Sequence, residues 1–352
     1  MKRTTFDTPE GSIQFGEGLP THFIAEIGLN HNGSFELAKG MILEAAKAGA
    51  TMVKFQKRSP EDLATAEFLD APFDKCPLFG STQREVRERL ELTLDDYREL
   101  EQYSHSLGLM FSSSVFDLQS FEFIKKLSNP IIKIASHSVT NGPLISEIGK
   151  SGLPIICSLG GGSQDEIDIV YKTLKNNPLI LLHCVSAYPT PDDLVKLDTI
   201  PYLKERYNVP VGFSSHEVGI DISIAATVMG ACVVERHFSY NRSMVGLDHG
   251  ISLEPDEFSE MVSKIRRLEK TRGIKTELLP AEHAARNNYH VGLYAKKTIK
   301  KGEIINMDDI VCMQPLTSSE KYFTGLEVQS VVGKASKVDI QPAQQISREN
   351  IS

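Results

Sequence analysis

No stretch of the 352-residue chain approaches the roughly 20 apolar residues that a helix needs to cross a bilayer, so a helical membrane protein is excluded. The opening Met-Lys-Arg-Thr-Thr-Phe-Asp has no apolar segment of a secretory signal behind it, and the expected location is cytoplasmic. Positive charge is in deficit: 38 Lys and Arg stand against 46 Asp and Glu, a net charge of -8. A nucleic-acid partner is therefore not expected, because a phosphate backbone needs a basic face. Cysteine is scarce, and the five present (Cys76, Cys157, Cys184, Cys232, Cys312) are an odd number without paired spacing. They read as reduced, packed thiols, not as a disulfide framework or zinc knuckle. A glycine-rich phosphate turn is missing as well, since the first strand-like run leads into Asn30-His31-Asn32-Gly33. That absence speaks against a doubly wound nucleotide-binding sheet.

What is present is an ordinary globular composition, 41% hydrophobic and 24% charged, in a chain long enough for one large and one small domain. Two short apolar runs organise the rest. Residues 209–216 read Val-Pro-Val-Gly-Phe-Ser-Ser-His, and residues 232–239 read Cys-Val-Val-Glu-Arg-His-Phe-Ser. Both have the character of buried strands, and residues 220–231 between them are long enough for a crossover helix. Parallel neighbours would bring His216 and His237 to one edge of a sheet. A lone histidine at a strand end is ordinarily just a polar residue; two at matching positions point to a pair able to hold a divalent metal and leave positions open.

Six further strand-like runs begin near residues 22, 50, 109, 130, 154 and 179, separated by helical stretches such as 34–48, 163–175 and 255–270. Eight strands alternating with helices over about 250 residues is the repeat of an α/β (β/α)8 TIM barrel. The pattern changes after Gly273. We place the barrel domain at 1–275, a polar linker at 276–289 and a small, mostly-β domain at 290–352. The basic run Lys296-Lys297-Thr298-Ile299-Lys300-Lys301 reads as a solvated hairpin in preference to an anion site.

Barrel active sites form where strands end. The downstream ends here carry Glu26 and Asn30, Lys54 and Gln56, Ser112 to Ser114, Lys133 and Ser136, Ser158, Ser186 and Tyr188, Ser214 and His216, and His237. Two lysines and several serines around one opening suit a ligand with phosphate or carboxylate oxygens. Asp248, in a glycine-flanked loop, reads either as a contact to a polyhydroxyl substrate or metal, or as the cap of the helix that starts near Pro255. These residues describe a metal-using barrel enzyme for a small anion, without naming its reaction.

The segments Ile24-Ala25-Glu26-Ile27-Gly28-Leu29-Asn30-His31-Asn32-Gly33, Val53-Lys54-Phe55-Gln56, Lys133-Ile134-Ala135-Ser136, Tyr188-Pro189-Thr190-Pro191, Gly212-Phe213-Ser214-Ser215-His216 and Glu235-Arg236-His237-Phe238 occur in order along the chain. Together they resemble the sialic acid (N-acetylneuraminate) synthase family, which includes legionaminate and pseudaminate synthases and the spore coat polysaccharide biosynthesis protein E. Residues 299–303 and 332–334 look like that family's C-terminal antifreeze-like (SAF, β-clip) domain.

The resemblance implies a transferase that condenses phosphoenolpyruvate with an N-acylmannosamine-like or related hexose to make a nonulosonate for surface polysaccharide. It implies a domain-swapped homodimer and a divalent metal, manganese first and magnesium or cobalt as alternatives, on His216 and His237. Lys54, Gln56, Ser114, Lys133, Ser136, Ser158, Ser186 and Ser214 would bind phosphoenolpyruvate. Tyr188, Asp248 and Gln314 would face the sugar, and Glu26 would help move a proton.

The chain departs from the family's pattern at four places. Ser138 replaces the usual acidic residue after the Lys-Ile-Ala-Ser strand, leaving His137 beside it. Ser158-Leu159-Gly160 replaces Ser-Thr-Gly, Ser215 replaces the aspartate before His216, and Gln314 replaces an arginine. These changes read as falling mostly on the sugar side. Two alternatives remain: a synthase of the deoxy-octulosonate type acting on a phosphorylated sugar, for which the barrel rim shows no extra basic cluster, and a non-catalytic homologue that binds sugar or phosphoenolpyruvate.

Overall fold

Alternating short buried runs and capped helices fold as their spacing predicts. The computed structural model describes residues 2–8 and 11–352. Twelve strands follow in chain order: β1 (Arg3–Thr8), β2 (Gly11–Gly16), β3 (His22–Gly28), β4 (Met52–Lys57), β5 (Met110–Val115), β6 (Ile131–Ile134), β7 (Ile155–Ser158), β8 (Leu179–Cys184), β9 (Val211–Ser215), β10 (Val233–His237), β11 (Gly292–Ala295) and β12 (Ile310–Met313). Strands β3 to β10 are parallel and close into a barrel in sequence order, with β10 pairing back onto β3. The (β/α)8 expectation holds.

The helices between them start where local chemistry dictates. Ser34 accepts from the Leu37 amide to cap the helix Phe35–Lys47, which buries Ala38, Met41, Ile42 and Ala45 against the barrel at helical spacing. Thr93 with Asp96, and Ser163 with Glu166, form capping boxes for the helices Leu94–Ser106 and Gln164–Leu174.

Residues before the barrel, for which the sequence pattern offered no strand, form the antiparallel hairpin β1–β2. Its Phe6 and Phe15 are fully buried, their rings tilted against each other at 4.7 Å between centroids. They join Ile24, Met52, Met110, Ile131 and Ile156 from the upstream ends of the strands. The hairpin therefore closes the end of the barrel opposite the strand termini. Its alternation of apolar and polar residues was the available signal.

The first compact unit ends at Arg272 and the second runs from Gly273 to Ser352. Residues 283–289, read from the sequence as linker, form the short helix His283–Tyr289. The second unit pairs β11 with β12 antiparallel around a core of Leu293, Ile299, Ile305, Phe323, Ile340 and Ile346. Lys297 pairs with Asp309 at 2.8 Å and Lys300 with Asp339 at 2.9 Å, so these basic side chains already have carboxylate partners. All five cysteines are free, four of them buried.

Candidate active site

Strand register sets the level at which each side chain enters the barrel. His237 pairs with Glu26 and Glu26 with Lys54, so β10, β3 and β4 bring a histidine, a carboxylate and an ammonium to one layer. Gln56 pairs with Ser114 and Ser114 with Lys133. Period-two alternation then sends Ser214 and His216 of one run, and Glu235 and His237 of the next, to the same face.

The opening at this end, of about 500 Å³, is lined among others by Glu26, Lys54, Gln56, Ser114, Lys133 and Ser136, and by Ser158, Tyr188, Ser214, His216 and Asp248; of the expected set, Ser186, His237 and Gln314 do not line it. Lys54 Nζ lies 2.6 Å from Glu26 Oε2 and donates to Ser114 Oγ at 3.0 Å. Gln56 Nε2 donates to the other Glu26 oxygen at 2.7 Å. Lys133 Nζ donates to Ser158 Oγ at 2.7 Å. The Ser136 hydroxyl accepts from the Gly160 amide at 3.1 Å. Every one of these donors is buried or half-buried at the floor, where a charge-assisted hydrogen bond is strong because water does not compete.

A residue not singled out from the sequence holds the floor together. Glu235 Oε1 lies 3.9 Å from Lys54 Nζ and 3.7 Å from Lys133 Nζ, and accepts from Ser214 Oγ at 2.9 Å. Burial pushes its carboxyl up, but the Lys133 and Lys54 ammonium groups and the Ser214 hydroxyl outweigh that and hold it below the ordinary carboxylate value. Burial lowers Lys133 in turn, with Glu235 opposing. The signal was a carboxylate two positions before His237, on the same face of the same strand.

His216 and His237 stand with ring centroids 5.5 Å apart. His216 Nδ1 lies 3.2 Å from the Val185 carbonyl oxygen, which can only accept, so Nδ1–H donates and, in the neutral ring, the lone pair sits on Nε2. Burial, then the neighbouring His237, hold His216 down to about 3, so it stays an uncharged, ligand-competent imidazole. His237 Nδ1 has no hydrogen-bond partner and sits 3.9 Å from Asp248 Oδ2. Two buried imidazoles with a free nitrogen each fit a divalent cation. Among the described residues no group of three or more His, Cys, Asp or Glu side chains is placed to hold one, so the pair would leave the remaining positions to water or substrate oxygens.

Several expected residues are placed differently. His237 does not itself line the opening. Ser186 is exposed on the loop after β8, although a side chain at Gly160 would collide with its hydroxyl and with that of Ser136. Asp248 does not cap the helix Pro255–Glu269; Glu254 does, with Glu257. Ser215 faces away from the opening and hydrogen-bonds Glu217 and Ser223 on the outer side of the barrel. Its departure from the family pattern therefore touches no substrate position. Gln314 lies in the second unit, where its amide donates to the Tyr289 carbonyl. Tyr188 is half exposed, its ring 4.1 Å from that of His216. The rim is also more basic than the sequence suggested, since Arg58 and Lys75 line the opening.

Comparison with known proteins follows the same lines. The model of the NeuB family matches residues 41–277. The human N-acetylneuraminate-9-phosphate synthase is 35% identical over 334 residues, covering 94% of this chain and 92% of that protein. The N,N'-diacetyllegionaminic acid synthase of Campylobacter jejuni is 36% identical over 304 residues, with 84% and 90% covered. Among solved structures, the sialic acid synthetase of Leptospira borgpetersenii, in complex with citrate, superposes with a TM-score of 0.68 at 32% identity, over 81% of this chain and 96% of that one.

Proposed function

The chain belongs to the NeuB family, and from that premise we propose that it condenses phosphoenolpyruvate with the open-chain aldehyde of an N-acylmannosamine-like or related hexose, releasing phosphate and forming a nonulosonate for surface polysaccharide. The observation that carries the reading is the floor of the opening, where Lys54 and Lys133 flank Glu235 with hydroxyls from Ser114, Ser158 and Ser214. That arrangement offers two ammonium groups and several directed donors to a ligand rich in anionic oxygens.

In this reading Lys54, Gln56, Ser114, Lys133, Ser136, Ser158, Ser186 and Ser214 bind phosphoenolpyruvate and hold C3 toward the aldehyde. A new bond forms between C3 and the aldehyde carbon, water adds at C2, and the C2–O bond breaks with departure of inorganic phosphate. Glu26, which meets Lys54 and accepts a hydrogen bond from Gln56, takes the proton from that water. Tyr188 and Asp248 orient the sugar. A divalent metal on His216 and His237, manganese first with magnesium or cobalt as alternatives, would supply Lewis acidity toward the aldehyde oxygen. A homodimer in which the C-terminal, antifreeze-like (SAF) domain of one chain serves its partner belongs to the same proposal, with Gln314 as the residue offered to the sugar.

The test is phosphate release by the purified protein given phosphoenolpyruvate, manganese and a panel of hexoses and hexosamines. Acceptor-dependent release that vanishes in His216→Ala supports the proposal. Binding of phosphoenolpyruvate without release for any acceptor would turn the reading to a non-catalytic homologue.

A further inference from the structure

The turn that follows β6, residues Ser136–Ser138, is pinned on both sides. On one side the Ser136 hydroxyl accepts from the Gly160 amide at 3.1 Å. On the other, Asn141 donates to the Phe116 carbonyl at 3.3 Å and caps the helix Gly142–Lys150 by accepting from the Leu144 amide. The backbone between closes on itself, with Ser138 donating to Ala135 and Val139 to Ser136. His137, at the middle of this turn, is therefore presented by backbone that needs no ligand to hold it.

His137 is half-buried and lines the barrel opening, with Arg58, Phe116 and Leu247 beside it. The same four residues line a second cavity of about 690 Å³, in which Ser138 and Arg87 also stand. Ser138 is 3% exposed and lines that second cavity only. At the position where the family pattern has an acidic residue, the side chain thus faces the second cavity, and the imidazole next to it reaches the opening.

Polar groups at the floor already have partners within the protein: Lys133 with Ser158, Lys54 with Ser114, Glu235 with Ser214. The His137 ring has no hydrogen-bond partner among the described residues. Its nitrogens are left to solvent or to whatever fills the opening. Burial, then the Arg58 guanidinium, pull the ring below its ordinary value, with Asp248 opposing and Lys133 adding to the fall. The ring is uncharged at neutral pH, one nitrogen donating and the other accepting. A carboxylate at this place would only accept.

We infer that His137 touches the acceptor sugar directly and helps select it, through hydrogen bonds to a hydroxyl or acylamino group. This rests on the condensing reaction proposed above. In that reading the floor is committed to phosphoenolpyruvate, and His137 stands four residues beyond Lys133, past the downstream end of β6 and toward the mouth. Hydroxyl and acylamino groups both give and take hydrogen bonds, so a neutral imidazole can answer them in either sense.

The experiment uses the full chain with manganese, saturating phosphoenolpyruvate and the most active sugar of the panel above, N-acetylmannosamine being tried first. His137→Leu fills the space without a polar atom. Its kcat/KM for the acceptor should fall at least about 10-fold, mainly through KM, the scale of one or two lost hydrogen bonds. Phosphoenolpyruvate affinity in calorimetry should stay within about 3-fold of the parent, and the urea midpoint checks that the variant is folded. His137→Asn places an amide nitrogen near Nδ1 and His137→Gln near Nε2. One of the two should recover most of the loss, and which one does identifies the nitrogen used. An unchanged acceptor KM in His137→Leu, or a deficit that both amide variants share in full, overturns the inference and leaves the condensing reading intact. A parent protein that turns over no acceptor overturns both.

Discussion

Arg236 and Glu217 meet at 3.0 Å with both side chains about 1% exposed, and each is the chain neighbour of one of the paired histidines. Arg236 also donates to the Gly219 carbonyl at 2.7 Å and the Glu217 carbonyl at 2.9 Å, so β10 is tied to the loop that follows β9. Alternation along each strand sends these two side chains outward while His216 and His237 turn inward. Glu217→Ala leaves a buried guanidinium without its counter-charge. The expected loss of stability is about 3–5 kcal/mol in urea unfolding, and a loss under about 1 kcal/mol would show the pair to be dispensable.

Lys133 is expected to matter for the anion and little for the sugar. Lys133→Met removes the donor to Ser158 and one of the two cations beside Glu235. Phosphoenolpyruvate binding measured by calorimetry should weaken by about 10- to 100-fold. Unchanged affinity would remove Lys133 from the binding set.

Phe15 tests the hairpin that closes the far end of the barrel. The side chain is fully buried against Phe6 and the upstream strand ends. Phe15→Ala should cost about 3–5 kcal/mol of unfolding free energy through the cavity it leaves. The barrel opening lies at the other end, so affinity for phosphoenolpyruvate should stay within a few-fold of the parent; a large loss would mean the ends are coupled.

His31 sets part of the acid sensitivity. Burial holds it at about 4, below the ordinary 6.5, and its Nδ1 accepts from the Gly33 amide at 3.1 Å. Between those values the unfolded chain takes up a proton that the folded chain refuses. Stability is therefore intact above about pH 6.5 and falls as pH drops toward 4, by up to about 1.4 kcal/mol per pH unit for this group. His31→Gln should flatten that slope in urea midpoints measured against pH. His22, also held at about 4 chiefly by burial, keeps part of it. An unaltered slope would place the acid sensitivity elsewhere.

His237 tests the proposed cation site. His237→Gln should weaken manganese binding by more than about 100-fold in calorimetry, beyond what loss of an outer partner costs. Equal affinity in the variant would dissociate the histidine pair from metal binding.

Much of this was legible before folding. Period-two and helical spacing, with caps such as Ser34 and Ser163, are local consequences of which face is buried, so the alternation of strands and helices could be read directly. The strand-end position of Glu26, Lys54, Lys133 and His216 followed from the same pattern. The hairpin β1–β2 was missed although Ile13, Gln14 and Phe15 alternate, because so short a run is a weak local signal and its burial comes only from the distant strand ends it packs on.

The sequence by itself determined the barrel repeat, the polar groups delivered to its downstream end and the absence of a helix able to cross a membrane. Tertiary structure alone decided which of those groups meet. Glu235 reaches both lysines because closure sets β10 beside β3, whose neighbour β4 carries Lys54, with Lys133 across the barrel. Ser215 turns outward, and Arg58 and Arg87 reach one cavity beside Ser138. Such meetings depend on strand register and loop path between distant segments, and local spacing carries no record of either.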